Sequence, residues 1–186
     1  EINRIMVEKA RSGRIVVRLK GGDPFLLGRG GEEAEKLRKA GVRFEVVPGV
    51  TSALAAPAYA GIPVTQRDYA SSVAIVTGHE DPTKGRGLVD WERLATAVDT
   101  IVVLMGVGRL KEIVGRLIRG GRRQETGVAI IEWGTTRSQR TITCTLGDIV
   151  DKADFPKASP PAVVVIGDVV RLRERLRWFE GERRCP

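Results

Sequence analysis

The sequence predicts an α/β protein whose mixed, mostly parallel sheets are divided between two domains. Three observations lead to this fold class. Short apolar runs rich in Val and Ile recur along the chain, helical patterns separate several of them, and 42% of the 186 residues are apolar. Unbroken apolar runs are typical of strands buried on both faces, and alternation of such strands with helices indicates a largely parallel sheet.

Five apolar runs predict buried strands, and two alternating segments predict half-exposed strands. The alternating segments occupy residues 42–47 and 142–146, and they make the predicted sheets mixed. The buried strands are predicted at residues 15–19, 73–76, 101–105, 128–131 and 162–166.

Helical patterns lie between several of these strands. The clearest covers residues 110–118, where apolar side chains recur at spacings of three and four until Gly120 ends the pattern. A helix after Gly31 has acidic residues in its first turns and basic residues near its end, which suits the helix dipole. Further helices are predicted over the Ala-rich residues 53–60 and along the apolar stripe of residues 169–179.

A polar stretch that contains Pro63, residues 62–71, is the candidate domain boundary. We therefore predict that residues 1–68 belong to a first α/β domain and residues 69–186 to a second. The chain begins with Glu1 inside an amphipathic pattern that has no capping residue before it. We expect residues 1–68 to be the C-terminal part of the first domain, with its N-terminal part absent.

Charge and composition exclude some classes of protein and leave others open. The 31 Lys and Arg residues against 23 Asp and Glu residues give a net charge of +8, which favours a polyanionic ligand of any kind. No apolar run approaches the roughly 20 residues of a membrane helix, so we expect a cytoplasmic protein with no membrane partner. The two cysteines and the single histidine, His79, lack the pattern of a metal site, and we expect no metal.

A glycine-rich loop follows the first predicted strand and is the first candidate binding site. Residues 20–31 contain five glycines and Asp23, at the carboxyl end of a strand, where open α/β sheets bind ligands. Glycine lets the backbone approach a ligand, and the Asp23 carboxylate can accept hydrogen bonds from an amine or a ribose hydroxyl. Neither the phosphate-loop spacing nor the dinucleotide fingerprint is present. Tight turns capped by Asp23 are an alternative.

A second loop has the same design. Pro48 and Gly49 follow the predicted strand at residues 42–47, and Thr51 and Ser52 precede the Ala-rich helix. Either hydroxyl can cap the helix or face a ligand, and the sequence leaves both roles open. The small side chains of the helix indicate that another part of the molecule packs closely against it.

Several long motifs stand in a fixed order along the chain. They are VRLKGGDPF at 17–25, GRGGEE at 28–33, PGVTSA at 48–53, EWGTT at 132–136 and SPPA at 159–162. This series resembles the uroporphyrinogen-III C-methyltransferases of the tetrapyrrole methylase family, and the resemblance covers nearly the whole chain.

The resemblance implies the tetrapyrrole methylase fold, in which two α/β domains enclose the active site in a cleft, usually within a homodimer. It also implies transfer of two methyl groups from S-adenosylmethionine to carbons 2 and 7 of uroporphyrinogen III, which leaves S-adenosylhomocysteine. The product, precorrin-2, leads to sirohaem and cobalamin. The family's candidates for a catalytic acid or base lie upstream of this sequence, so we leave the catalytic residues unassigned.

The same matching implies which residues bind the two ligands. Arg29 corresponds to an arginine that faces the substrate. Uroporphyrinogen III carries eight carboxylates, with which guanidinium groups pair, so we add Arg67 and Arg140 as substrate-binding candidates. A surface ion pair with a nearby acid is the alternative for both. The implied cofactor contacts are Gly21, Gly22, Asp23, Leu26, Thr51, Ser52, Met105 and Gly134.

Three other functions are compatible with the sequence. A methyltransferase acting later in corrin synthesis would share the fold, but the GGDPF motif followed by GRGGEE favours the earlier enzyme. A nucleic-acid-binding module would explain the positive charge, yet aromatic residues make up only 5% of the chain and no recognition motif is present, so we expect no nucleic-acid partner. A segment that binds the cofactor without turnover is the third alternative.

Overall fold

The computed structural model describes residues 1–79, 88–150 and 158–180. The chain divides into two compact units, Glu1–Thr51 and Ser52–Pro186. The domain boundary at residues 68 and 69 stays a prediction.

The first unit contains two helices that pack on each other, α1 (Ile2–Arg11) and α2 (Gly30–Lys39). Glu32 and Glu33 lie in the first turn of α2 and basic residues lie in its last turn, as predicted from the sequence. The Arg11 guanidinium donates a hydrogen bond of 2.9 Å to the carbonyl oxygen of Ala40, at the end of α2. These contacts hold the two helices together.

The two strands predicted in the first unit are wrong for this structure. Residues 15–19 and 42–47 are neither helical nor assigned to a strand, and Ile15, Val17 and Val47 are 96%, 82% and 81% exposed. A strand exists only when a neighbouring strand accepts and donates its backbone hydrogen bonds. The described residues of the first unit supply no such neighbour. The apolar pattern therefore indicates residues suited to burial, but it does not provide a neighbouring strand for the backbone hydrogen bonds.

The second unit is built on one five-stranded mixed sheet in the order β1-β2-β5-β3-β4. Only β1 and β2 pair in parallel, and the other three pairs are antiparallel, so the prediction of mostly parallel sheets is wrong. β4 returns from β3 through a short turn, as in an antiparallel hairpin, and β5 inserts between β2 and β3 antiparallel to both. The strands are β1 (Val73–Thr77), β2 (Thr100–Leu104), β3 (Gly127–Glu132), β4 (Arg140–Thr145) and β5 (Ala162–Ile166).

Three strands nevertheless run in one direction. β1 is parallel to β2, and β5 is antiparallel to both β2 and β3, so β1, β2 and β3 share an orientation. Their carboxyl ends meet at a single edge of the sheet. This edge carries the turns in which sequence analysis places Met105 and Gly134.

Helix α3 (Ser52–Tyr59) packs against β2 and β5, and the main core of the second unit lies between the sheet and the helices α4 (Trp91–Ala97) and α5 (Leu110–Arg119). The side chains of β3 are buried throughout, as the unbroken apolar run predicts. The stripe of α5 is buried as well, through Leu110, Ile113, Val114 and Leu117. No helix in the three described stretches combines the length and the hydropathy that crossing a bilayer requires.

The C-terminal helix is shorter than the predicted stripe of residues 169–179. A 3₁₀ helix covers Asp168–Leu172 and α6 covers Arg173–Leu176, after which Arg177 turns extended with φ −62° and ψ 133°. The change of direction places Trp178 and Phe179 against Tyr59 of α3, with ring centroids 5.0 and 4.9 Å from the Tyr59 ring. Aromatic packing therefore takes the place of the last helical turn.

Candidate functional site

Asp23 orders both loops of the first unit. Its Oδ1 accepts hydrogen bonds from the backbone N–H groups of Phe25, at 2.8 Å, and Leu26, at 3.1 Å. Its Oδ2 accepts from the N–H of Gly49, at 3.1 Å. The hydrogen bond from Gly49, followed by that from Phe25, holds the pKa of Asp23 below its ordinary value. The turn-capping role that the sequence left open is thus present, and it joins the two loops that were predicted to form one site.

The glycines of these loops have two different roles. A Cβ on Gly49 would lie 2.3 Å from the carbonyl oxygen of Gly22, and a Cβ on Gly30 would lie 2.3 Å from the carbonyl oxygen of Pro24. These two glycines allow one backbone to pass close to another. A Cβ on Gly21 would have no atom within 4 Å, so Gly21 faces open space where a ligand can approach.

Arg29 and Lys20 lie in the same loop and have different surroundings. Arg29 has φ 61°, immediately before α2, and its exposed guanidinium donates to Glu32 at 2.8 Å. The hydrogen bond from Arg29 to Glu32 raises the Arg29 pKa. The Lys20 ammonium is largely buried and donates to the carbonyl oxygen of Gly28 and to Glu33. Lys20, which was not among the predicted site residues, ties the loop to α2.

Thr51 and Ser52 stand on either side of the division between the two units. The Thr51 side chain is buried at the end of the first unit. Ser52 is exposed and begins α3, whose Ala53, Ala56 and Pro57 are buried. The predicted helix at residues 53–60 is therefore confirmed to within a residue at each end.

Met105 and Gly134 follow β2 and β3 at the shared edge of the sheet. Met105 is exposed and has φ 56°, and Trp133, beside Gly134, is exposed with φ 49°. Side-chain-bearing residues rarely adopt this left-handed region, and such residues cluster at functional sites. A Cβ on Gly134 would lie 2.6 Å from the Cβ of Ala56. The turn after β3 is therefore the element that packs closely on the Ala-rich helix, which confirms the inference from its small side chains.

The two remaining arginine candidates differ in how firmly they are held. Arg67 lies exposed in the turn closed by the hydrogen bonds between Gln66 and Ala70. Arg140 lies opposite Glu132 in the register of β3 and β4 and donates to its Oε2 at 2.6 Å. Glu132 is only 4% exposed, and its Oε1 accepts the backbone N–H of Ser159 at 2.7 Å. The ion-pair alternative is therefore observed for Arg140.

Each unit gathers its own part of the candidate site. In the first unit Asp23 is hydrogen-bonded to the loop that ends at Thr51, and Gly21, Gly22 and Leu26 belong to the Asp23 loop. In the second unit Met105 and Gly134 occupy one sheet edge. Among the described residues, no three His, Cys, Asp or Glu side chains are grouped so as to hold a metal ion. The absence of a metal stays a prediction.

Sequence reasoning missed several residues that shape these turns. Gly49 and Lys20 carried a signal, because both stand in the motifs that define the loops. Gln139 stands beside Arg140 in a segment that matches the family, and Glu180 carried no signal. The role of both depends on side-chain contacts between residues distant in sequence. The Gln139 Nε2 donates to the Glu180 Oε1 at 2.7 Å.

The fold resembles that of methyltransferases that act on tetrapyrroles. The structure of uroporphyrin-III C-methyl transferase from Thermus thermophilus complexed with S-adenyl homocysteine has a TM-score of 0.79 and 41% identity, over 92% of this chain and 74% of that one. A cobalt precorrin-4 methyltransferase has a TM-score of 0.80 and 28% identity, over 91% of this chain and 71% of that one.

The sequence comparisons establish the family. Residues 1–150 match the family Tetrapyrrole (Corrin/Porphyrin) Methylases, and the chain belongs to this family. It is 52% identical over 184 residues to the S-adenosyl-L-methionine-dependent uroporphyrinogen III methyltransferase of Methanosarcina barkeri, covering 99% of this chain and 71% of the relative. It is 54% identical over 173 residues to the uroporphyrinogen-III C-methyltransferase of Methanocaldococcus jannaschii, covering 92% of this chain and 71% of the relative.

Proposed function

We propose that the protein is an S-adenosylmethionine-dependent C-methyltransferase that converts uroporphyrinogen III to precorrin-2, for sirohaem and cobalamin synthesis. The observation that carries the proposal is the 52% identity, over 99% of this chain, to a methyltransferase of this specificity. The open backbone at Gly21 and the exposed Met105 and Trp133 at the sheet edge support it, because a ligand can approach them.

The cofactor is proposed to bind through backbone groups and one carboxylate. In the first unit the contacts are assigned to Gly21, Gly22, Asp23, Leu26 and Thr51. Three N–H groups fix the Asp23 carboxylate, two on Oδ1 and one on Oδ2, and Oδ2 keeps one lone pair for a ribose hydroxyl or an amine. In the second unit the contacts are assigned to Ser52, Met105 and Gly134, of which the last two follow parallel strands at one edge.

The cofactor would supply an already activated methyl group on its sulfonium, so the chain's task is chiefly to hold the two reactants in line. Correct placement alone is worth up to roughly 7–11 kcal/mol in favourable intramolecular reactions. Loops ordered by backbone hydrogen bonds, such as those that converge on Asp23, suit this task because they lose little freedom on binding. We assign no residue to proton removal from the methylated ring.

The carboxylates of uroporphyrinogen III are proposed to contact Arg29, Arg67 and Arg140. The Arg29 ion pair with Glu32 is exposed on both sides, so exchanging Glu32 for a substrate carboxylate has a small energetic cost. Arg140 is held by the buried Glu132, which would keep its guanidinium in place for a substrate carboxylate. The net charge of +8 supports an anionic substrate of this kind.

The proposal includes a two-domain cleft and a homodimer. Both are supported by the family resemblance. A later corrin methyltransferase is the second candidate, favoured by the similarity of fold to a cobalt precorrin-4 methyltransferase. The lower identity of 28% to that enzyme ranks it below the first.

Calorimetric titration with S-adenosylhomocysteine and a turnover assay test the proposal together. We expect saturable binding and, with uroporphyrinogen III and S-adenosylmethionine, a product whose mass corresponds to added methyl groups. Binding without any product from uroporphyrinogen III would favour the later corrin enzymes or a cofactor-binding role. Salt-sensitive retention of RNA without any response to S-adenosylhomocysteine would overturn the proposal.

A further inference from the structure

The turn after β3 has a backbone shape that its own residues do not favour. Trp133 and Thr135 both lie in the left-handed region, with φ 49° and 69°, and they flank Gly134. Residues with side chains stay in this region only where their surroundings hold them there. The turn's internal hydrogen bonds run from the Thr136 N–H and hydroxyl to the carbonyl oxygen of Trp133, at 3.1 and 2.7 Å. Neither of these bonds involves the N–H of Thr135, which needs another acceptor.

Gln139 supplies that contact. Its Oε1 accepts the backbone N–H of Thr135 at 2.7 Å, and its Nε2 donates to the Oε1 of Glu180 at 2.7 Å. An amide side chain has one accepting and one donating end, so the group at Glu180 decides which end faces Thr135. A carboxylate only accepts, and it therefore turns the donating end of Gln139 towards itself.

Glu180 is itself held in place from two sides. Its Oε1 also accepts the hydroxyl of Thr141, and its Oε2 accepts from Arg173 at 2.6 Å. The Arg173 and Glu180 side chains are only 12% and 18% exposed. Arg173 also donates to the carbonyl oxygen of Ala60, just past the end of α3, at 2.6 Å. Every polar atom of the Glu180 carboxylate is thus matched to a donor.

We propose that Glu180 is a positioning residue for the cofactor-binding turn at Trp133–Gly134–Thr135. It acts through Gln139, whose amide it orients so that the Thr135 N–H has an acceptor and the turn keeps its left-handed shape. The inference rests on the proposed function, since Gly134 is a cofactor contact only within that proposal. Glu180 touches no ligand and does not take part in the reaction itself.

Exchanging Glu180 for Gln tests this orientation directly. In Glu180→Gln, one amide end must face Arg173 and the other Gln139. When the oxygen of the new amide accepts from Arg173, its NH₂ group faces the NH₂ group of Gln139. Two donors then oppose each other, and we expect Gln139 to rotate and lose its hydrogen bond with Thr135. We expect the Kd for S-adenosylhomocysteine to rise about tenfold, because the turn loses the hydrogen bond that holds its Thr135 N–H. We also expect the Thr135 amide proton to exchange with solvent about tenfold faster.

A reciprocal exchange should restore both quantities. In Gln139→Glu combined with Glu180→Gln, the carboxylate at position 139 accepts both the Thr135 N–H and the new amide at position 180. The oxygen of that amide still accepts from Arg173, and the Thr141 hydroxyl becomes an acceptor. We expect the Kd and the exchange rate to return to within about twofold of the wild-type values. Loss of an ion pair alone would not be repaired by this exchange.

Trp178→Phe is the matched control. It removes the hydrogen bond from the Trp178 indole to the carbonyl oxygen of Ala58, at 3.0 Å, and so loosens the same C-terminal segment without touching Gln139. We expect a lower Tm with an unchanged Kd for S-adenosylhomocysteine and unchanged Thr135 exchange.

The two readouts separate this inference from the proposed function. If the wild-type protein binds no S-adenosylhomocysteine, the proposed function fails, while Thr135 exchange still decides whether Glu180 orients Gln139. Unchanged Thr135 exchange in Glu180→Gln would overturn the inference. So would faster exchange with an unchanged Kd, or a double variant that behaves like the single one.

Discussion

Single glycines in the two loops of the first unit decide how close the backbones come. Gly49 is placed where any side chain would meet the carbonyl oxygen of Gly22, whereas Gly21 has room for one. Asp23 then fastens the loops at Gly49. Gly49 is therefore needed for the close approach of the two loops, whereas Gly21 is the proposed cofactor contact. The two roles can be tested separately.

The variants Gly49→Ala and Gly21→Ala make this test. We expect Gly49→Ala to lower the free energy of unfolding by about 1–3 kcal/mol, because its Cβ overlaps backbone atoms that have little room to move. Gly21→Ala should leave stability within about 0.5 kcal/mol of wild type and weaken binding of S-adenosylhomocysteine. Urea unfolding and calorimetry measure the two effects. A stable Gly49→Ala protein would contradict the close approach of the loops.

At the scale of elements, contacts between helices and turns organise the second unit. The Arg116 guanidinium of α5 donates to both oxygens of Glu92 in α4, at 3.0 and 2.7 Å. This hydrogen bonding, from Arg116 first, lowers the Glu92 pKa from 4.5 to about 2. A carboxylate with a lowered pKa stabilises the folded state above its unfolded pKa, and this contribution is lost as the pH falls through the folded pKa.

Glu92→Gln should therefore change how stability depends on pH. We expect the Tm difference between wild type and Glu92→Gln to be constant above pH 4.5 and to shrink as the pH falls towards 2. Thermal unfolding followed by circular dichroism across this range measures it. Because the pair is partly exposed, the difference should also shrink in high salt. A difference that does not change with pH would show that Glu92 stabilises through packing alone.

The contact between the turn after β3 and α3 gives a second prediction at this scale. Gly134→Ala places a Cβ 2.6 Å from the Cβ of Ala56, and we expect it to lower the free energy of unfolding by about 1–3 kcal/mol. Ala56→Gly opens the same space, so the double variant should be more stable than the sum of the single changes predicts. Chemical denaturation of all four proteins measures this coupling. Simple additivity would mean that the two elements do not touch.

The structure shows how far the sequence could predict these elements. The runs at residues 101–105, 128–131 and 162–166 became strands, because side chains buried on both faces leave an unbroken apolar pattern. The run at residues 73–76 became a strand too, but the prediction that it is buried is wrong, since β1 is an outer strand with partly exposed side chains. Residues 15–19 carry the same pattern without a neighbouring strand, and a pattern in one segment contains no information about its partner. The strand directions could not be predicted for the same reason, because no pattern in β5 indicates that it inserts between β2 and β3.

The candidate site was predictable to a similar extent. The loops around Asp23 and the turn at Gly134 were found from their motifs and from their place after predicted strands. The ion pair of Arg140 with Glu132 was not, because it depends on the register of β3 and β4. The orientation of Gln139 by Glu180 was not either, since it depends on side-chain contacts across 41 positions.

For the whole molecule, the net charge of +8 is the property that bears on the substrate. Attraction between a positive protein and a polycarboxylate weakens as salt screens it, over a Debye length of about 8 Å at physiological ionic strength. The cofactor has a much smaller net charge, so its binding should depend little on salt.

Ionic strength should consequently separate the two ligands. We expect the KM for uroporphyrinogen III to rise several-fold between about 50 and 500 mM salt, while the Kd for S-adenosylhomocysteine changes by less than about twofold. Arg29→Met, which removes an exposed charge without disturbing a buried partner, should reduce the salt dependence of KM. A KM that is independent of salt would argue against arginine recognition of the substrate carboxylates.

The position of β5 in the sheet has a consequence for the order in which the protein folds. β5 is synthesised after the four other strands that the structure describes, yet it lies between β2 and β3. While the nascent chain is being synthesised, β2 and β3 each have one unpaired edge, and neither can be completed until residue 166 has emerged. The β3–β4 hairpin and the β1–β2 pair therefore stay separate and prone to aggregation until β5 has emerged and joins them.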